Sequence, residues 1–145
     1  MTASQASDAT FATKAAIRTA LLANATINST LAGLKIVDLA PSSHPTPYIQ
    51  LDARSNDWST DSTDGQEMLI DINVWYQPTS QTPETATARD LMGLVRSTLH
   101  TATLTMADPF NCVQIRVENM VGPYRDPDGM TLHGVVSVRA LVDHT

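Results

Sequence analysis

The chain has little of what most functional classes need. Among its 145 residues there is one cysteine, Cys112, so no disulfide can close within the chain and no four-cysteine zinc site can form. That points to synthesis in a reducing cytoplasm. Lysine is nearly absent, with Lys14 and Lys35 alone, and Lys+Arg total 9 against 15 Asp+Glu for a formal net charge of −6. A protein that grips nucleic acid by neutralising phosphates needs a basic face, and an anionic-membrane binder needs a basic patch. The composition excludes both. No apolar run approaches the roughly 18 residues of a membrane span. The opening residues Met1 to Asp8 lack the basic and apolar regions of a signal peptide.

What is present is ordinary core-forming material. Hydrophobic residues make up 42%, enough for a folded domain rather than a disordered chain. A chain of this length buries roughly two thirds of its unfolded surface without a metal or disulfide. We read residues 1–145 as one domain, with residues 1–7 as a loose N-terminal tail.

The acidic surplus is concentrated. Asp52, Asp57, Asp61, Asp64, Glu67 and Asp71 stand against the single Arg54. Residues 54–66 within this stretch, rich in Ser, Thr, Asp and Gly, read as a long acidic loop. An EF-hand is excluded by spacing. Gly65 at the sixth loop position would put Thr60 where the first carboxylate ligand belongs.

Periodicity predicts the elements. Ser7 or Asp8 caps a first helix over Ala9 to Ala23, with Phe11, Ile17, Leu21 and Leu22 as its apolar stripe and Asn24 ending it. A short helical turn follows from Thr26 to Ala32, closed by Gly33, and then a short strand from Leu34 to Leu39. Pro41 to Pro47 is irregular. Tyr48 to Ala53 and Glu67 to Gln77 are antiparallel strands, the second with Met68, Ile70, Ile72, Val74 and Tyr76 on one face. Thr82-Pro83-Glu84 starts a helix that runs to about His100, burying Ala88, Leu91, Met92, Val95 and Leu99. A brief strand over Leu104 to Met106, a strand through Val113, Ile115 and Val117, a turn at Asp126-Pro127-Asp128-Gly129 and a last strand from Leu132 to Val142 complete the chain. The fold class is α+β: an antiparallel or mixed β-sheet with two helices packed on one face.

Chemistry is hard to find. Phosphate-binding and nucleophile-elbow motifs are missing, and His44, His100, His133 and His144 have no metal-ligand spacing. Cys112 opens a strand and reads as a small core residue. Trp75 reads as core or interface. Trp58, in an acidic polar stretch, suggests a partner surface. We expect no catalytic residue, no metal and no cofactor.

The ordered segments Ala20 to Asp38 (A-L-L-A-N-A-T-I-N-S-T-L-A-G-L-K-I-V-D), P-Y-I-Q-L-D (Pro47 to Asp52), D-W-S-T (Asp57 to Thr60), G-Q-E-M-L-I-D-I-N-V-W (Gly65 to Trp75), V-R-S-T-L-H (Val95 to His100) and R-D-P-D-G-M-T-L-H-G-V-V-S-V-R-A-L-V (Arg125 to Val142) carry a resemblance. Together, over about residues 8 to 143, they resemble the tail-completion, or tail-terminator and head-to-tail joining, proteins of long non-contractile-tailed phages and related gene-transfer particles. Asp52 departs from the small residue common there. The resemblance implies a non-enzymatic virion protein at the tail–head junction, made in the host cytoplasm. It implies a homo-oligomer, usually a hexameric ring, that caps the tail-tube protein and meets the head connector or adaptor, with DNA passing through unbound.

Two roles suit the acidic stretch within that implication. Asp57, Trp58, Asp61, Asp64 and Glu67 either line the lumen and repel phosphates, or dock onto the tube or connector with Trp58 as anchor. Arg116, Arg125, Asp126 and Arg139 are candidates for ring-interface ion pairs. The alternatives are a head-side neck adaptor or minor tail protein, a prophage regulatory domain, and a small prophage hydrolase built on His133 and a nearby aspartate.

Overall fold

The computed structural model describes residues 8–31, 36–37, 47–59, 64–78, 86–127 and 130–144. In chain order the elements are α1 (Thr10–Leu22), α2 (Ala25–Leu31), β1 (Ile36–Val37), β2 (Tyr48–Ser59), β3 (Asp64–Tyr76), α3 (Ala86–Leu99), β4 (Phe110–Arg125) and β5 (Leu132–His144). The strands form one five-stranded sheet in the order β1-β2-β3-β5-β4. β1 pairs parallel with β2 and every other pairing is antiparallel, so the sheet is mixed. The α+β class expected from the sequence is what the chain adopts.

One face of the sheet makes the core. Ile49 and Leu51 of β2, Met68, Ile70, Ile72 and Val74 of β3, and Val136, Val138, Ala140 and Val142 of β5 are all buried there. Strict alternation along each strand puts them on one side. The helices close over them with Ile17 and Leu21 of α1, Ile27 and Leu31 of α2, and Leu91, Met92, Val95 and Leu99 of α3. Gly134 lets α3 approach closely: a Cβ there would lie 2.2 Å from the Met92 sulfur.

Several local expectations need correction. The acidic stretch 54–66 is largely strand, not loop. β2 and β3 pair without interruption from Tyr48↔Trp75 to Ser59↔Asp64, leaving residues 60–63, outside the described residues, to connect them. Pairing there is a matter of backbone bonds, so polar composition did not prevent it. Phe11 does not join the α1 stripe and is 82% exposed. It lies six residues before Ile17, which sets it roughly 120° around the helix from that residue and off the buried stripe. Asn24 begins α2 rather than merely ending α1, because its Oδ1 accepts the backbone N–H groups of Thr26 and Ile27 at 3.0 and 3.1 Å. Leu104 to Met106 is not a strand, although Leu104 is buried. In β4 only Ile115 of the three alternating residues is buried, while Val113 is 58% exposed, because β4 is an edge strand reaching past the helices. The Thr82-Pro83-Glu84 start, Gly33, His44 and Asp128-Gly129 lie outside the described residues.

Side-chain and backbone bonds tie the helices to the sheet at two places. At the end holding the β2–β3 hairpin, buried Gln66 accepts the Ala9 backbone N–H at 2.7 Å and donates to Asp57 at 3.3 Å. Asp8 accepts the Thr10 backbone N–H at 2.9 Å and the Thr10 hydroxyl, which together hold its carboxyl below the usual range. The hairpin thereby anchors the start of α1. Midway along the edge strand, a corner after α3 covers β4: the Thr101 N–H donates to Ile115 O and the Val117 N–H to His100 Nδ1, both at 3.0 Å.

Candidate interaction surface

Among the described residues no helix packs on the second face of the sheet. Its residues are the odd-numbered positions of β3 and β5 and the even-numbered positions of β2, which the alternation turns away from the core. They form two side-chain networks and an aromatic row.

The row crosses four strands. Register aligns Tyr48 with Trp75, Trp75 with His133 and His133 with Tyr124. Trp75 and His133 are stacked with centroids 3.8 Å apart and planes at 7°. Tyr48 stacks on Trp75 at 6.1 Å, and Tyr124 tilts against His133 at 5.3 Å. A bulge between Val121 and Tyr124 re-aims the strand here. Gly122 takes φ +94° in it, where a Cβ would meet His133 O at 2.8 Å.

The hydrogen bonds fix the histidine tautomer. Asn73 Nδ2 lies 3.2 Å from Asp52 Oδ2 and must donate, since a carboxylate only accepts. Asn73 Oδ1 therefore faces His133 Nε2 at 2.9 Å as acceptor, so Nε2 carries the proton. Nδ1 is then left to accept the Tyr124 hydroxyl at 3.2 Å. Burial favours this neutral ring and pulls the His133 pKa below its ordinary value, with the charge of Asp126 opposing. The Trp75 indole N–H is buried and finds no acceptor among the described residues.

Toward the hairpin the same face becomes charged. Arg139 Nε donates to Glu67 Oε2 at 2.6 Å, its terminal nitrogen pairs with the same oxygen, and Glu118 lies 4.0 Å away. Hydrogen bonding to Arg139 holds the Glu67 carboxyl below the usual range. The Ser137 hydroxyl donates to Asp71 at 3.0 Å, and Arg54 lies 3.7 Å from the other Asp71 oxygen.

These positions separate the residues the sequence grouped. Asp57 sits opposite Gln66 on the helix side, whereas Glu67 points to the open side. Trp58 and Asp64 are placed by backbone register only, opposite Gly65 and Ser59, and Asp61 lies outside the described residues. Arg116 faces Arg139 across β4 and β5. Arg125 closes β4 opposite Leu132, and the Asp126 N–H donates to Thr131 O at 2.8 Å. Sequence reasoning missed the row as a unit. Its signal was Tyr48, Trp75 and His133, each on the polar phase of a strand end, but joining them required the β3–β5 register.

Among the described residues no group of three or more His, Cys, Asp or Glu could hold a metal ion. No helix of the structure is long and apolar enough to cross a membrane. The second face of the sheet is thus stitched by side chains, with paired charges toward the hairpin and an aromatic row at the other end. Comparison with known proteins gives the family. The model of the family described as "Tail completion protein gp17" matches residues 15–143. A chain from a structure titled "Virion of native gene transfer agent (GTA) particle" shares the fold, with a TM-score of 0.77 and 21% identity, covering 92% of this chain and 96% of that one. No curated protein sequence matches. The chain belongs to the tail completion protein gp17 family and is a structural protein of the phage tail, carried in the virion.

Proposed function

We propose that copies of the chain form a closed ring, a hexamer, that caps the finished tail tube, ends its polymerisation and joins it to the head connector. DNA passes through the ring without specific binding, and the protein catalyses no reaction and needs no cofactor. The observation that carries this reading is the family match over residues 15–143. The physical demand on such a protein is clear. An open tube end keeps recruiting subunits unless something satisfies it on one side and presents a different surface on the other.

The two ends of this sheet differ in the way that demand requires. Asp8, Asp57, Asp108 and Asp143 gather at the hairpin end, while Tyr48, Trp75, Tyr124 and His133 gather at the other. Met120, Val121, Tyr124 and Met130 are exposed apolar residues near the aromatic end, and an exposed apolar patch favours protein contact. Arg116, Arg125 and Asp126, on β4 and its turn, remain proposed contacts between copies. Arg139 is engaged within its own chain by Glu67. The net charge of −6 suits a ring that lets DNA slide past rather than hold it. The test is electron microscopy of the purified chain incubated with tail tubes. A ring seated on one tube end is expected, and decoration along the tube wall or at neither end would oppose the proposal.

A further inference from the structure

One stripe of α1 faces away from the core and is not an ordinary solvated face. Asp8, just ahead of the helix, and Phe11, Ala15 and Arg18 within it recur three, four and three residues apart, the spacing that stacks side chains on one side. All four are exposed, Phe11 to 82%. Two cavities flank them. One, of about 360 Å³, has Asp8, Ala12, Ala15 and Phe110 in its wall, and the other, of about 330 Å³, has Ala15, Arg18, Ile36 and Leu51. Phe11 borders both, so its ring is a ridge between an acid-edged hollow and a base-edged one.

From the N-terminal end the stripe reads acid, large apolar, small, base. Such a stripe complements itself when two copies run antiparallel. Turned about a two-fold axis between Phe11 and Ala15, each Phe11 lies over the Ala15 of the other copy, and each Arg18 meets the other copy's Asp8. Large against small is how facing helices interdigitate, and the hollows beside Ala15 seat the incoming ring. A parallel arrangement would set Asp8 against Asp8 and Arg18 against Arg18, so charge selects the antiparallel one. Both charges are already held on the stripe. Asp8 Oδ1 accepts the Thr10 N–H at 2.9 Å, and Arg18 Nε lies 3.5 Å from Ile36 O. We propose that two copies of the chain associate through an isologous, antiparallel α1–α1 contact centred between Phe11 and Ala15. This contact is separate from the ring. It closes on two copies, whereas a ring repeats one heterologous contact, so either can fail without the other.

Sedimentation of the full chain over a range of concentrations reads the association, and a reversible dimer is expected. Arg18→Asp alone and Asp8→Arg alone should each weaken it by about tenfold or more, because each variant then meets like charges twice. Mixed one to one, the two variants should associate again, since each supplies the charge the other lacks. Ala15→Lys tests the same contact at an exposed position that makes no hydrogen bond through its side chain, and it too should weaken association by about tenfold or more. Thermal melts check that each variant folds. A wild-type chain that is monomeric at every concentration, a mixture that associates no better than its folded components, or association unchanged by Ala15→Lys overturns the contact.

Discussion

His133 lies flat against Trp75, with ring centroids 3.8 Å apart and planes inclined by 7°. Burial favours the neutral ring, which donates from Nε2 to Asn73 and accepts at Nδ1 from Tyr124. Burial lowers its pKa from the ordinary 6.5, while Asp126 acts in the other direction. The unfolded chain therefore takes up this proton first as the pH falls. Stability from the neutral ring is complete above about pH 6.5 and declines as pH falls from there toward the lowered folded value. Denaturant titrations at steps between pH 7.5 and 5 should show this slope. His133→Gln should remove it, leaving the slope of the carboxylates at lower pH. A wild-type stability that is flat over this window would show that the ring is not held neutral.

Gly134 and Met92 meet where α3 crosses β5. A methyl at position 134 would collide with the Met92 sulfur and with its Cε at 2.7 Å, and Met92 is 1% exposed, so it has little room to move. Gly134→Ala should destabilise the chain by about 1–3 kcal/mol. Shortening the methionine, as in Met92→Val, should recover part of that loss. Urea titrations of the single and double variants would check it, with a coupling energy clearly different from zero as the expected result.

Gln66 joins the hairpin to the first helix. It is 4% exposed and its side-chain oxygen is the acceptor for the Ala9 N–H. Gln66→Leu leaves that buried donor without an acceptor and should cost about 1–3 kcal/mol. Hydrogen exchange at Ala9 and Thr10 should accelerate with it. Unaltered exchange there would mean that the helix start is held by other groups.

These elements differ in how far the sequence revealed them. In β3 the phase of Met68, Ile70, Ile72 and Val74 is unbroken, and hydrophobic burial on one face turns such a phase directly into a strand. The α3 stripe is legible for the same reason. Residues 54–59 read as loop because their residue types carry turn chemistry, while what makes them strand is backbone pairing with β3, which leaves no side-chain signature. Phe11 misled because an apolar residue near a helical stripe need not lie on it. The aromatic row was hidden for another reason. Its members come from Tyr48, Trp75, Tyr124 and His133, distant in sequence, and only the sheet register brings them to one end. The acidity was visible in composition, but not its division into Asp57 on the helix side and Glu67 on the open side.

Thr101 ends α3 in a left-handed conformation, φ 58°, which a β-branched residue adopts at a cost. The position just past a helix C-terminus is where glycine relieves that cost. Thr101→Gly keeps the backbone N–H that donates to Ile115 O and should raise stability by up to about 1 kcal/mol, the greater freedom of the unfolded chain offsetting part of the gain. A rise in the urea midpoint at constant slope would confirm it.

The proposed ring stops tube growth and makes the tube end competent for the head. Tail length and head attachment in particles assembled without the protein are the decisive measurement. Electron micrographs should show tails longer than normal, variable in length and lacking heads, with both defects corrected when the chain is supplied. Tails of normal, uniform length already joined to filled heads would contradict it.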